Sequence, residues 1–448
     1  MDPSQATHLT PLALVIVVLS ALFTLGAPRR SAVLPLLAVA CYLPLGQAVV
    51  FLGLHFWLIR LLLAVCIGRV ILRREYRGFS WTALDRAFLL WVAATLVCGI
   101  LNRPTRAYFI NRLGYVYNAL AAYFFVRIVV RDWGDVVHSA RFLALLMLPL
   151  AALMVVEKQT GQNVFSVFGG VPELTIERDG RLRCQGAFQH PILAGTFGAT
   201  NLPILMGLWS QGARFRRRAG VGVLSAVVMI VTSASSGPLL VTLAALLGLM
   251  LWKQRRRLRV VRWGIVLAIA ALAAVMKAPV WYVTAHLSKI TGGTGWYRAW
   301  LIDTTLKHMR EWWLCGTAHT ADWGVFPVSK AGAVVDPDHI DITNQFVLEA
   351  ITGGLLKLGL FVLIIVLAFR GIGRQMRPES ASSIAHLRML WSLGVALAAH
   401  CMAFLSVTYF DQVIVFWYWL LAVIASLTLC CRSTDTATES MLGRCSPK

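Results

Sequence analysis

The sequence predicts an all-α, polytopic integral membrane protein with about 12–13 transmembrane helices and a large, partly helical extracytoplasmic loop. Three observations predict it. The 448-residue chain is 58% hydrophobic and 14% charged, with a mean hydropathy of +0.70, which excludes an ordinary soluble globule. Apolar runs recur at about 20 residues, the length that lets a helix cross a hydrocarbon core of about 30 Å. The basic residues, 42 Lys and Arg against 20 Asp and Glu for a net charge of +22, gather at alternate ends of those runs. A charge this high invites a nucleic-acid reading. Arginines spread over many span ends, with no single basic patch, argue against that partner.

The runs divide the chain. Residues 1–156 hold N-terminal transmembrane helices at 10–27, 31–50, 51–72, 87–101, 113–130 and 139–156. The first run has no basic leader and no clear small-residue cleavage site, so it reads as a retained span. Residues 157–191 form an outer loop, 192–280 the central spans (192–209, 219–232, 239–252 and 263–280) and 281–344 the large extracytoplasmic loop. Residues 345–432 hold the last spans (355–369, 389–406 and 413–431), and 433–448 are a polar cytoplasmic tail. Basic clusters at 29–30, 73–77, 127–131, 214–218, 253–262 and 370–377 mark the cytoplasmic ends, which puts the N-terminus outside and the C-terminus inside. The short outer segment 102–112 departs from the pattern with Arg103, Arg106 and Arg112. Either the topology differs there or these arginines serve a purpose outside. Within the third run, Arg60 and Arg69 read as snorkelling side chains or as marks of a substrate path.

Most of the nine cysteines fall in apolar runs, where a thiol behaves as a small hydrophobe. Cys184 and Cys315 lie on the two outer loops, and a disulfide between them is one option in an oxidising compartment. No Cys or His spacing indicates a metal, and no glycine-rich phosphate loop indicates a nucleotide. No cofactor is expected.

Segment 281–343 stands apart in charge, with six acidic residues against five basic ones in a very basic chain. A turn is expected at 292–295, then an amphipathic helix from Trp296 to Trp313 that Gly316 ends. A break is expected at Asp336-Pro337 before the next membrane helix. The tryptophans suit a membrane interface.

Three constellations carry possible chemistry. The first is Arg183-Cys184-Gln185-Gly186-Ala187-Phe188-Gln189-His190-Pro191, at the mouth of an entering helix. The second is Gly295-Trp296-Tyr297-Arg298-Ala299-Trp300. The third runs through His339, Asp341, Thr343, Asn344 and Glu349 to Gly353-Gly354. Together they supply fixed cations, candidate bases and small residues for close helix packing. Each has a plainer reading: Arg298 as an anchor on Trp296 or Trp300, Arg183 paired with Glu177 or Asp179, His339 as a helix-start residue on a solvated loop, Asp341 as a helix cap, and His190 as structure at the helix mouth.

These residues resemble the bacterial O-antigen ligase and polymerase superfamily, which includes exopolysaccharide polymerases. The resemblance covers roughly residues 181–369. The family's Arg-x-x-Gly-x-Phe-x-(His)-Pro element matches Arg183, Gly186, Phe188, His190 and Pro191. Its Ser-Arg-Gly turn appears as Ser235-Ser236-Gly237, and its loop arginine with a following acidic-then-glycine stretch as Arg298, Glu311 and Gly316. The ligases' closing His-Asn, nine residues, Gly-x-x-Gly appears as Thr343-Asn344, nine residues, then Gly354-Leu355-Leu356-Lys357. Threonine thus replaces the histidine and lysine the last glycine.

The resemblance implies transfer of a glycan from a polyprenyl diphosphate-linked oligosaccharide to a sugar hydroxyl, outside a bacterial cytoplasmic (inner) membrane, without metal or nucleotide. Arg183 and Arg298 are then the expected diphosphate ligands, because a guanidinium stays charged and presents a planar fork to phosphate oxygens. Arg103, Arg106, Arg112, Arg178 and Arg181 are reserves. A general base is required to take the acceptor's proton. With threonine at position 343, His339 and Asp341 are the expected catalytic residues. His190 and Asn344 are further expected substrate contacts. The expected partners are membrane lipid, the lipid-linked oligosaccharide and other polysaccharide export or chain-length proteins. A polymerase leads, with a ligase second. A lipid-linked sugar flippase is third, because no inverted repeat or broken helix is read in the sequence.

Overall fold

The computed structural model describes residues 9–51, 54–286, 295–324, 340–376 and 383–442. Its helices, in chain order, are α1 (Pro11–Gly26), α2 (Leu34–Tyr42), α3 (Leu58–Leu72), α4 (Ala83–Asn102), α5 (Arg106–Val129), α6 (Trp133–Thr160), α7 (Pro191–Trp209), α8 (Ala213–Thr232), α9 (Ser236–Met250) and α10 (Leu258–Val275). They continue with α11 (Gly295–Lys307), α12 (Met309–Trp312), α13 (Gln345–Gln375), α14 (Ile384–Phe404) and α15 (Val413–Leu442). Two antiparallel hairpins interrupt them: β1 (Ala48–Phe51) with β2 (Leu54–Trp57), and β3 (Ile176–Arg178) with β4 (Arg181–Arg183).

Six described helices are long and apolar enough to cross a membrane: α4, α6, α7, Ser236–Arg257 (α9 and its 3-10 extension), α13 and α14. The bent pair Trp263–Val275 and Val280–His286 raises the number to 7 if it forms one span. The chain is therefore built as a mainly helical, multi-pass membrane protein, with fewer full-length apolar helices than the sequence predicts. The differences have local causes. Runs 31–50 and 51–72 do not form two spans, because Pro44 and Gly46 interrupt the first. Proline lacks an N–H and pushes its predecessor out of the helical region, and Leu43 accordingly ends α2 in an extended conformation. The β1–β2 hairpin takes up the intervening chain. Helices α5 and α8 have the length, but α5 opens on Arg106 and Arg112, and α8 carries Arg214, Arg216, Arg217 and Arg218.

The helix ends sort by charge. At one end, Arg29 bonds Asp135 at 2.8 Å, and Arg127 bonds Asp85 at 3.2 Å. Arg69 is fully buried, pairs with Glu75 at 2.7 Å and donates to the Ala27 carbonyl at 2.8 Å. It does not snorkel. It satisfies a carbonyl at the C-terminus of α1, where a cation also meets the negative end of the helix dipole. At the opposite end, contacts join the start of α7, the α8–α9 turn, the end of α14 and the start of α15. There the side chain of Ser406 approaches Gly237, Gln189 meets Asp411, and Cys184 N–H bonds Thr232 O at 3.0 Å. Loop residues 157–190 reach this second end through Gln189 and Asp411, and the described residues 295–324 reach it through the bond from Asn102 Nδ2 to Cys315 O. Cys184 and Cys315 are both free thiols, and the thiol beside Cys315 is Cys98 of α4.

Helix α13 is broken. Gly353 and Gly354 have non-helical dihedrals, with φ +68 at Gly354. The carbonyls and amides freed by the break are met by the chain that follows α12. Leu355 N–H donates to Trp313 O and Thr317 N–H to Ile351 O, each at 2.8 Å. Gly316 turns there at φ +90, and a Cβ on it would overlap Ile351 O. Gly354 does allow close packing, since a Cβ there would overlap Leu314 O, but the pair also breaks the helix, a feature that the sequence reading does not anticipate. A second small apolar cluster, Leu301, Trp312, Trp323, Val347, Ala350 and Ile351, seals α11, α12 and the short limb of α13 together.

An ion pair bridges the break. Lys357 Nζ lies 3.1 Å from Glu349 Oε2, both side chains being almost fully buried. Glu349 also accepts from Trp91 Nε1 at 2.9 Å and Gln345 Nε2 at 2.7 Å, and Lys357 donates to Thr352 Oγ1 at 2.9 Å. Removing one partner of a buried pair leaves an uncompensated charge and costs about 3–5 kcal/mol, whereas replacing both with apolar residues is often close to neutral. Lys357→Met is therefore expected to lower the thermal midpoint of the detergent-solubilised protein sharply. The double variant Lys357→Met, Glu349→Leu should recover most of that loss in the same melts.

Candidate functional site

The β3–β4 hairpin begins the site. Asp179 and Gly180 both have positive φ, +53 and +69, as a type I′ two-residue turn requires, and Asp-Gly is a preferred pair for it. The register sets Ile176 opposite Arg183 and Arg178 opposite Arg181. Lys158 Nζ at the end of α6 holds the hairpin through Leu182 O at 2.6 Å.

The next seven residues are irregular and suspended from side chains. Buried Glu157 accepts the amides of Gln185 at 3.0 Å and Gly186 at 2.9 Å. Asn163 Nδ2 donates to Gly186 O at 2.9 Å. From the far side, Gln412 Nε2 donates to Ala187 O at 2.6 Å and Asp411 accepts from Gln189 N–H at 3.2 Å. Burial pushes the Asp411 carboxyl up to about 7 against the amides that hold it. His190 then caps α7, its Nδ1 accepting Ile192 N–H at 3.2 Å. That bond leaves Nε2 as the protonated nitrogen of the neutral ring.

Three arginines converge on this scaffold. Arg183 Nη2 donates to Ser235 Oγ at 2.8 Å, so the first constellation meets the Ser235-Ser236-Gly237 turn at the start of α9. Its Nε is buried without a partner. Arg298, on the first turn of α11, is 9% exposed; its Nε is likewise buried without a partner, and no ion pair reaches it among the described residues. Arg178 is half exposed, 3.7 Å from Asp179, and acts on both of the others. Burial first, then the Arg178 charge, lowers the pKa of Arg183 and of Arg298, with Asp179 partly offsetting the effect at Arg183. Burial, Arg183 and Arg178 together hold the His190 imidazole down to about 4, so it is neutral near pH 7.

The arrangement has the chemistry to hold an anion. Buried guanidinium N–H groups lack acceptors, their charges oppose one another, and an orphaned buried donor is costly. One ligand with several anionic oxygens removes all three costs. Arginine binds phosphate oxygens in this way, and low local dielectric strengthens the contact.

Of the predicted residues, the structure brings together Arg183, Arg298, Arg178 and His190. The others go elsewhere. Arg103 donates to Ala318 O at 3.1 Å and 2.5 Å. Arg112 bonds the Tyr108 hydroxyl and lies over that ring at 4.6 Å. Arg106 and Arg181 are exposed. Asn344 is the cap of α13, its Oδ1 accepting Phe346 and Val347 amides at 2.9 and 3.2 Å. It takes the capping role that the sequence reading gives to Asp341. Asp341 is exposed, and its carbonyl accepts from Tyr297 Oη at 2.7 Å, beside Arg298 in sequence. His339 lies outside the described residues. Thr343 Oγ1 is buried without a partner. The expected single helix from Trp296 to Trp313 is two, broken at His308. The positioning groups Glu157, Asn163, Asp411 and Gln412 were not singled out in the sequence. The Asp179-Gly180 turn signal was available there and locates the hairpin that presents Arg178 and Arg183.

The depressed histidine gives a test. A group whose folded pKa lies below its ordinary value of about 6.5 contributes stability above that value and loses it as pH falls toward the folded pKa. The fold should therefore lose stability between pH 6.5 and about 4 through His190, a loss that is reduced in His190→Asn. Saturating inorganic pyrophosphate should raise the His190 pKa, because the anion offsets Arg183 and Arg178; ring NMR titration with and without pyrophosphate checks this. No protein-family model matches the chain, and no curated protein shows significant similarity to it.

Proposed function

We propose that this chain is a membrane glycosyltransferase that uses a lipid-diphosphate-linked donor, and specifically a polysaccharide polymerase extending a polyprenyl diphosphate-linked glycan on the outer face of a bacterial cytoplasmic membrane. The observation that supports the reading is a pair of arginines, buried Arg298 and half-buried Arg183, each with a buried, unpartnered Nε. In the reaction, the bond from the anomeric carbon to the diphosphate oxygen breaks, and that oxygen gains charge as the acceptor hydroxyl attacks. Arg183 and Arg298 meet the growing charge as fixed donors. Neutral His190 offers a further N–H without adding a third buried cation. The acceptor proton goes to a base, for which Asp341 and His339 are the candidates; Tyr297 ties Asp341 to the helix that carries Arg298. Threonine at 343, in place of the histidine of the ligases that the sequence resembles, favours polymerisation over ligation.

One observation favours a different class. The broken α13 and the Lys357–Glu349 pair beside it are features of transporters, in which interrupted helices and membrane-depth charges line substrate paths. A flippase for the same lipid-linked glycan is therefore the second reading.

Removing one preorganised donor to a developing anion lowers turnover by about 10²–10³. Arg183→Ala and Arg298→Ala should each abolish high-molecular-weight polysaccharide at normal membrane levels of the protein, with the lysine variants retaining a fraction. Wild-type polymer in both alanine variants would sink the proposal. In a deletion strain, single repeat units accumulating outside support the polymerase. Intact polymer left on its carrier supports the ligase, and repeat units retained inside support the flippase.

A further inference from the structure

Cys98 and Cys315 are free thiols in contact, each the other's hydrogen-bonding neighbour. Cys98 lies one turn before the end of α4 and is 2% exposed. Cys315 is half-buried on the turn that follows α12. This pairing differs from the Cys184–Cys315 bridge that the sequence leaves open. Cys184 is fully buried beside Glu157, with its N–H on Thr232 O.

Contacts on both sides fix the two thiols. Residues four apart on a helix share a face, and Asn102, four after Cys98, donates from Nδ2 to Cys315 O at 2.6 Å. The next residue, Arg103, holds Ala318 O at 3.1 Å. The break in α13 supplies the second set. Cys98 Sγ donates to Gly353 O at 3.5 Å. The chain neighbours of Cys315 press on the same break: a Cβ on Gly354 would overlap Leu314 O, and one on Gly316 would overlap Ile351 O. Helix α4, the turn after α12 and the break in α13 therefore meet at these two sulfurs. The sulfurs of a disulfide are about 2.05 Å apart, a short side-chain approach for thiols already in contact. Their exposure differs in a useful way. Cys315 is open to a reagent and Cys98 stands behind it, as an attacking thiol and a resolving one do.

We propose that Cys98 and Cys315 are a site of oxidative modification, joined as a disulfide that ties the loop carrying Arg298 to α4. The proposal rests on the reading that this end of the bundle faces outside the cytoplasmic membrane, where disulfides persist. The oxidant is a protein disulfide of the dithiol-oxidase class. The Cys315 thiolate attacks one of its sulfurs, the other leaves as a thiolate, and a mixed disulfide forms. Cys98 gives up its proton, attacks the Cys315 sulfur and expels the remaining oxidant thiol. In sum, two cysteine thiols lose two protons and two electrons, and the oxidant's disulfide becomes a dithiol.

Native membranes holding the full-length protein are quenched in acid, blocked with N-ethylmaleimide under denaturing conditions and digested without reduction. Mass spectrometry should find the Cys98 peptide joined to the Cys315 peptide, with maleimide on Cys184, and dithiothreitol should separate the joined pair. Cys315→Ala should leave Cys98 labelled, and Cys98→Ala should leave Cys315 labelled. Dithiothreitol should lower the thermal midpoint of the purified wild type by several degrees, as loss of a bridge does, and leave that of Cys315→Ala unchanged. Maleimide on both Cys98 and Cys315 of the wild type overturns the proposal, as does a Cys184–Cys315 peptide. Treating such membranes with diamide then separates the causes. A Cys98–Cys315 bridge formed only by diamide places the pair on a reducing side, which also counts against a transferase on the outer face. No bridge with diamide means that the sulfurs are out of reach, and leaves the transferase reading standing. A bridged protein without glycan transfer counts against the function alone.

Discussion

The site depends on one buried carboxylate. Glu157, at the last turn of α6, accepts two consecutive amides of an irregular segment, and everything downstream follows from that anchoring. The segment has no ladder or helix of its own to satisfy its backbone, so it is legible only as a chain held from outside. With Glu157 on one side and Asp411 and Gln412 on the other, its ends are fixed: Arg183 at the Ser235 turn and His190 on the first turn of α7. The carboxylates that hold the segment are both spent on amides. Neither neutralises the arginines, and the guanidinium charge remains directed at a ligand.

This division leaves buried Arg298 and half-buried Arg183 without a bonded carboxylate among the described residues. Burial and the charge of Arg178 both act against Arg183 and Arg298, and Asp179 offsets only part of this at Arg183. Keeping local strain of this kind at a binding site is a common exchange of stability for recognition.

The sequence shows part of this directly. Apolar periodicity locates most of the described helices. Arg183 and Arg298 were singled out through the resemblance, as matches to its motif arginines. What composition does not reveal is pairing at a distance. Glu157 and Asp411 look like ordinary loop charges until the fold brings them to amides 28 and 222 residues away in sequence. Hydropathy also counts length, not continuity: Pro44 with Gly46 turns one expected span into a short helix and a hairpin, and Gly353-Gly354 breaks a run that reads as uniformly apolar. The Lys357–Glu349 pair was hidden for the same reason, since each charge alone looks like an isolated exception in an apolar helix.

The break in α13 has a consequence for how the protein can be divided. Ile351 O, Leu355 N–H and the turn at Gly316 are completed by chain from the loop, so the loop supplies backbone partners that the helix does not provide for itself. In lipid, a backbone group without a partner costs several kcal/mol. The loop is therefore not a detachable cap on a finished bundle. Exchanging it for the corresponding loop of another protein, or shortening it, removes hydrogen bonds from inside a membrane-class helix, and a chimera folds only when the loop and its broken helix travel together.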